Sequence, residues 1–167
     1  MRVRNSSAIA ILSLVSACQS PRNNLEERVV SLERQSYADT LDKSGGTQAF
    51  IKIAESSFVM TRADFGNVAV SIENVADYAS GSKVTLNLGN TTSASIGGLT
   101  AKLTWGKLDS KGFPVDLKKT KNESFTESLP AGSWKRYEVI LPNTSAKEVE
   151  FLIVSDFKSS TIELSQR

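Results

Sequence analysis

From Gln48 onward, apolar and polar residues alternate with a period of two, the pattern of half-buried β-strands. Phe50-Ile51-Lys52-Ile53-Ala54 predicts a short first strand. Between Asn67 and Val75, Val68, Val70 and Ile72 share one face, and Ala69, Ser71 and Glu73 share the other. Lys83 to Asn90 repeats this, with Val84, Leu86 and Leu88 inward and Lys83, Thr85 and Asn87 outward. Leu99, Ala101, Leu103 and Trp105 alternate with Thr100, Lys102 and Thr104, and Tyr137, Val139 and Leu141 alternate with Arg136 and Glu138. Asn122 to Ser128 reads as a polar strand. Val149 to Val154 is more continuously apolar and predicts burial on both faces. Ile162 and Leu164 close the pattern.

Turn residues separate these runs: Ser80-Gly81-Ser82, Gly89-Asn90, Gly97-Gly98, Asp109-Ser110-Lys111-Gly112 and Leu129-Pro130-Ala131-Gly132-Ser133. About seven or eight short strands at even spacing, without a helical period, predict an all-β fold. We expect an immunoglobulin-like antiparallel β-sandwich over residues 48–167. Upstream, the period changes. Asn24 and Glu27 fit a capping box, and Leu25, Val29, Leu32 and Ser36 fall at coiled-coil spacing. They predict a short N-terminal helix, too short to be stable alone, that serves as an oligomerising stalk or as a spacer. Ser44-Gly45-Gly46-Thr47 is a linker, so residues 18–47 read as a tether.

The first residues carry a different signal. Met1-Arg2-Val3-Arg4 is basic, and Ala8 to Val15 is mostly apolar but far shorter than the roughly 20 residues a spanning helix needs. Val15-Ser16-Ala17-Cys18 then places the chain's single cysteine at a cleavage position, so residues 1–17 read as a secretory signal peptide. That run resembles the lipobox of bacterial lipoproteins. The resemblance implies cleavage between Ala17 and Cys18, a diacylglyceryl group on the Cys18 thiol and an acylated (palmitate-type) amino terminus. Several acyl chains together hold a protein firmly to a bilayer. Gln19 in place of an aspartate implies the outer membrane, with the protein on its periplasmic face.

Loss of the signal also removes Arg2 and Arg4. Of 20 Lys+Arg and 18 Asp+Glu, 18 of each remain, so the mature chain has no electrostatic case for nucleic acid. With no histidine and the lone cysteine given to lipid, there is no Ser-His-Asp or Cys-His relay and no His/Cys zinc site. We expect no metal, no cofactor and no enzyme.

Weaker signals remain. Ser155-Asp156-Phe157-Lys158 has the Ser-x-x-Lys spacing of penicillin-recognising enzymes, but it ends a strand and lacks their other motifs. Lys118, Lys119, Lys121, Lys135 and Arg136 could form a basic patch, diluted by Asp116, Glu123 and Glu138. Trp105 continues the Leu103 face and reads as core. Trp134 is balanced between core and an exposed patch for a peptide or glycan. Asp109 with Asp116, and Asp39 with Asp42, lack calcium-loop spacing.

Gly66 to Val75, Gly81 to Asn90 and Gly98 to Gly106, followed by Leu129-Pro130-Ala131-Gly132-Ser133 and the strand from Val149 to Asp156, resemble the YajI-type lipoproteins of Gram-negative bacteria. The resemblance runs through most of the mature chain. It implies a lipid-anchored β domain behind a short polar helix, and it brings no catalytic residue with it. The expected role is a binding or structural module for another envelope protein. A small envelope hydrolase and a helix-mediated homo-oligomer are the alternatives.

Overall fold

The computed structural model describes Leu25, Arg28, Val29, Ser31, Leu32 and residues 46–164 apart from position 56. Cys18, the lipobox positions Val15, Ser16 and Ala17, and Asp39 and Asp42 lie outside the described residues. The chain divides into two units, residues 1–33 and 34–167. In the first, Leu25, Arg28, Val29, Ser31 and Leu32 have helical backbone and exposed side chains. The remainder of the predicted helix is not among the described residues.

Among its described residues the second unit has ten strands: β1 (Gln48–Lys52), β2 (Phe58–Ala63), β3 (Gly66–Tyr78), β4 (Gly81–Asn90), β5 (Ala94–Gly97), β6 (Leu99–Gly106), β7 (Thr120–Phe125), β8 (Trp134–Pro142), β9 (Phe151–Lys158) and β10 (Thr161–Leu164). One four-stranded sheet has the order β1-β9-β6-β7 and another the order β2-β3-β4-β8, while β5 and β10 form a two-stranded ribbon. Every pairing is antiparallel. The expected antiparallel sandwich is present. Like the immunoglobulin arrangement it packs two antiparallel sheets face to face, and it differs in running β2, β3 and β4 as a meander within one sheet.

The period-two pattern explains the core. Val68 and Val70 of β3, Val84, Leu86 and Leu88 of β4, and Tyr137, Val139 and Leu141 of β8 turn inward from one sheet. Ile51, Leu99, Leu103, Trp105, Leu152 and Val154 meet them from the other. Burying side chains of this size stabilises the fold by roughly 1.5–3 kcal/mol each. Trp105 is 2% exposed, and its indole N–H donates to the Thr144 hydroxyl at 3.0 Å. The hydrogen bond satisfies the one polar atom that the ring carries into the core.

β9 is buried on both faces, as its unbroken apolar run predicts. Leu152 and Val154 point into the sandwich. Phe151 and Ile153 are also buried, and Phe151 packs on the Phe50 ring at 5.7 Å between centroids. The segment between β6 and β7 lies against this end of the sheet: a β-carbon at Gly106 would sit 3.4 Å from Phe151 and 3.8 Å from the Asp116 carbonyl. Asp109 folds that segment. Its carboxylate accepts from the Lys111 and Phe113 amides at 2.9 and 3.0 Å, a turn stabilised by its own side chain.

Two bulges interrupt the ladders. Between Ile72 and Asn74 the β3–β4 register shifts, leaving Glu73 as the extra residue. Between Thr100 and Lys102 the β6–β9 register shifts, opposite a stretch of β9 that contains Asp156 at φ 53°. An extra residue re-aims the side chains around it. Alternation already sets Glu73 outward with Ser71, whereas Asp156, next to Ser155, is exposed where strict alternation after Val154 would turn it inward.

Candidate functional site

The outer face of the β2-β3-β4-β8 sheet carries the exposed aromatic residues of this domain that stand together. Cross-strand register aligns Met60, Ala69, Gly89 and Trp134 in one row, and Phe58, Ser71, Asn87 and Arg136 in the next. The two central strands therefore contribute only a methyl group and a hydrogen to the first row. Over that low floor the large residues of the edge strands lean together. Phe58 and Trp134 meet edge to face at 6.3 Å, with 79° between the rings. Phe58 is 61% exposed, Trp134 55% and Met60 39%.

Gly89 determines how the indole lies. A β-carbon there would meet Cε2, Cδ2 and Cζ2 of Trp134 at 2.8, 3.0 and 3.0 Å. Near-equal distances to three ring atoms mean that one face of the indole rests on the glycine backbone. The side chain as a whole remains 55% exposed.

Buried polar chemistry holds Trp134 at the head of β8. Asn90 is buried, and its side-chain amide donates to the Ala94, Leu129 and Pro130 carbonyls at 2.7, 3.1 and 3.1 Å. Its oxygen accepts from the Thr92 amide and hydroxyl at 2.9 and 2.8 Å. The Asn90 amide N–H donates to the Ser133 carbonyl at 2.9 Å, and the Ser133 hydroxyl donates to Pro130 at 2.8 Å. One asparagine thus ties the end of β4 to the 129–133 turn that delivers Trp134.

Beside the aromatic residues lies a set of mutually bonded polar groups. Arg136 pairs with Glu73 at 2.7 Å, and the Asn87 amide donates to the other Glu73 oxygen at 3.3 Å. Further along the same face Lys83 pairs with Glu138 at 3.1 Å. On the core side of β8, Tyr137 packs on Phe125 at 4.8 Å and donates to the Glu127 carbonyl at 3.1 Å. Burial, and next the Glu127 charge, push its phenol from 10.0 up to about 12.

The outer face of the other sheet is polar. Two cavities of about 280 and 400 Å³ share Lys102 and Asp156; Ser155 and Thr104 line the first, Ser124 and Lys158 the second. Register sets Lys102, not Lys158, directly opposite Ser155. Lys158 opposes Thr100 beyond the bulge. A catalytic lysine is one stripped of water, whereas Lys102 and Lys158 are exposed and neither hydrogen-bonds to Ser155 among the described residues.

The five cations singled out from sequence do not gather into a patch. Lys121 pairs with Glu123 at 2.6 Å and donates to the Ile140 carbonyl at 3.2 Å, Lys135 pairs with Glu127 at 2.5 Å, and Arg136 pairs with Glu73. Lys118 and Lys119 are exposed on the segment before β7. Asp109 and Asp116 accept backbone amides. Among the described residues no three acidic, histidine or cysteine side chains are placed to hold a metal ion, and no helix is long and apolar enough to cross a membrane.

Sequence reasoning missed Phe58 and Met60 because β2 shows no clean alternation. It turns Phe58, Met60 and Arg62 outward and buries Thr61. Apolar residues stand on both faces of this hexamer, Val59 and Ala63 inward and Phe58 and Met60 outward, so no period-two signal marks it.

No protein-family model matches the sequence, and no curated protein does. Solved structures match the fold. SadB, a trimeric lipoprotein of Salmonella enterica, is 16% identical, with a TM-score of 0.61 over 87% of this chain and 82% of its own. YajI, an uncharacterized lipoprotein of Escherichia coli solved by NMR in solution, is 14% identical, with a TM-score of 0.58 over 99% of this chain and 95% of its own. This chain has the fold of the YajI and SadB lipoproteins.

Proposed function

We propose that this protein is a lipid-anchored module of the bacterial envelope, tethered through Cys18 to the periplasmic face of the outer membrane, that binds a partner rather than catalysing a reaction. The aromatic platform of Phe58, Met60 and Trp134 carries this reading. Large apolar side chains grouped on an otherwise polar sheet face mark an interaction surface, and tryptophan dominates such surfaces energetically. The lipobox and the lipoproteins that share the fold support the anchor.

Photo-crosslinking in intact cells tests the binding role. A crosslinking residue at Phe58 is expected to give a discrete adduct with an envelope component, and one at Lys158 on the opposite sheet is not. Equal labelling at both positions, or none at Phe58, would remove the reading. The anchor is tested separately: Cys18→Ser is expected to release the protein from the outer membrane, and retention of a normally processed variant there would refute lipidation.

A second reading, self-association, is favoured by Leu25, Val29 and Leu32. They are helical, exposed and at coiled-coil spacing, and the similar fold of SadB belongs to a trimer. Three copies would bury the stripe and present several β domains at once, multiplying weak contacts. Deleting residues 25–37 is expected to reduce the detergent-solubilised mass to that of a monomer.

A further inference from the structure

We infer that the Phe58–Trp134 platform is a glycan-binding site that takes a neutral, pyranose-containing oligosaccharide; this rests on the proposal that the platform is the binding surface. A pyranose ring is amphipathic in one plane. Its axial C–H groups form an apolar face, and its hydroxyls project from the rim. A surface that recognises it needs a flat aromatic face in the open and polar groups fixed at the edge.

The outer sheet face supplies both. The indole of Trp134 rests on the backbone of Gly89 with one face, and more than half of the side chain is in the open. Phe58 packs against it at 6.3 Å with the two rings near perpendicular. Asn87 and Arg136 stand in the neighbouring row, already oriented by Glu73 at 3.3 and 2.7 Å. Their spare N–H groups and the carboxylate oxygens are hydrogen-bond partners for equatorial hydroxyls.

Charge decides against an ionic partner. Arg136 is balanced by Glu73 and Lys83 by Glu138 on the same face. Among the described residues of this face, Arg62, the next outward residue of β2 after Met60, is the cation left over, and it belongs to a different row from Trp134. An occupant stacked on Trp134 therefore meets paired charges, which a neutral and hydroxyl-rich molecule satisfies without stranding any of them. An apolar peptide would cover the Arg136–Glu73–Asn87 group without providing for its free hydrogen-bonding positions. The row from Met60 to Trp134 crosses four strands spaced about 4.8 Å apart, so it is roughly 14 Å wide. That fits several linked rings better than a single sugar.

The test uses the full chain in a detergent without sugar headgroups, titrated with cellohexaose and with chitohexaose. Calorimetry gives the affinity, and tryptophan emission reports the site, because Trp105 is 2% exposed and only Trp134 faces solvent. At least one hexasaccharide is expected to bind saturably and shift the emission to the blue. Trp134→Ala should weaken binding more than about tenfold. Arg136→Ala should weaken it several-fold, and Lys111→Ala on the far segment should leave it unchanged. Backbone NMR spectra confirm that each variant is folded.

Emission unmoved by both sugars at millimolar concentration would overturn the inference. So would concentration-dependent self-association abolished by Trp134→Ala, which would make a second copy the occupant. A Phe58 crosslink to a protein, combined with no sugar binding, would sink the glycan assignment and leave the binding role standing. Failure of both the crosslink and the titration would sink the two together.

Discussion

The two outer faces of this sandwich treat their aromatic residues in opposite ways. On the β1-β9-β6-β7 sheet, Phe151 and Ile153 point away from the core and are nevertheless buried, with Phe50 and the segment between β6 and β7 against them. On the β2-β3-β4-β8 sheet, Phe58, Met60 and Trp134 also point away from the core, and no segment covers them among the described residues. The same chain therefore covers one apolar surface and leaves the other open. Covered aromatic residues contribute to folding. Open ones contribute little to it.

The sharpest way to break this contrast is to truncate the covered side. Phe151→Ala should destabilise the domain by about 3–5 kcal/mol, the usual loss for a buried phenylalanine that leaves a cavity. Equilibrium denaturation measures it. A loss below about 1 kcal/mol would mean that this face is as dispensable as the open one, and the comparison would collapse.

The second effect lies beneath the open side. Asn90→Ala removes the amide that serves the Ala94, Leu129 and Pro130 carbonyls and should cost about 2–3 kcal/mol. It should also loosen the 129–133 turn, visible as faster amide exchange at Ser133 and Trp134. Unchanged exchange there would show that the platform is not positioned by this staple.

How much of the contrast was legible in the sequence depends on which interactions set it. Alternation is a local property, so Val68, Leu86, Leu103 and Val139 were readable as core, and the apolar run of β9 announced burial on both faces. Trp105 followed from its continuity with Leu103. Trp134 did not, because its exposure depends on Gly89 and Phe58, which reach it through cross-strand register rather than sequence proximity. β2 was passed over because apolar residues stand on both of its faces, which leaves no alternation to read. The Ser-x-x-Lys spacing pointed at Lys158, but three residues along an extended strand separate the pair, and cross-strand register sets Lys102 opposite Ser155 instead. Strand order and bulges arise from long-range pairing, and no period in the chain encodes them.

A smaller effect sharpens the difference between the two sides of β8 itself. Tyr137 faces inward between its exposed neighbours Arg136 and Glu138, and its phenol is pushed up to about 12 from 10.0. A raised phenol pKa means that folding favours the neutral form. The stability this provides is complete below pH 10 and is lost as pH rises towards 12. Tyr137→Phe should cost about 1 kcal/mol at pH 7 through the hydrogen bond to Glu127, and should flatten the decline between pH 10 and 12. If the wild type and the variant lose stability in parallel over that range, the phenol is not the responsible group.

Trp134→Ala should have the smallest effect on folding, because about half of the side chain is already in water and its packing partners are a glycine backbone and the exposed Phe58. We expect a change of about 1 kcal/mol or less, against several for Phe151→Ala. The two substitutions remove rings that both point outward, so the difference between them isolates the covering and not the orientation. Binding should reverse the order. Trp134→Ala is expected to abolish the Phe58 crosslink while the denaturation midpoint stays near that of the wild type. A large loss of stability would instead make Trp134 a structural residue whose exposed face is incidental, and the platform would then have no claim to a partner.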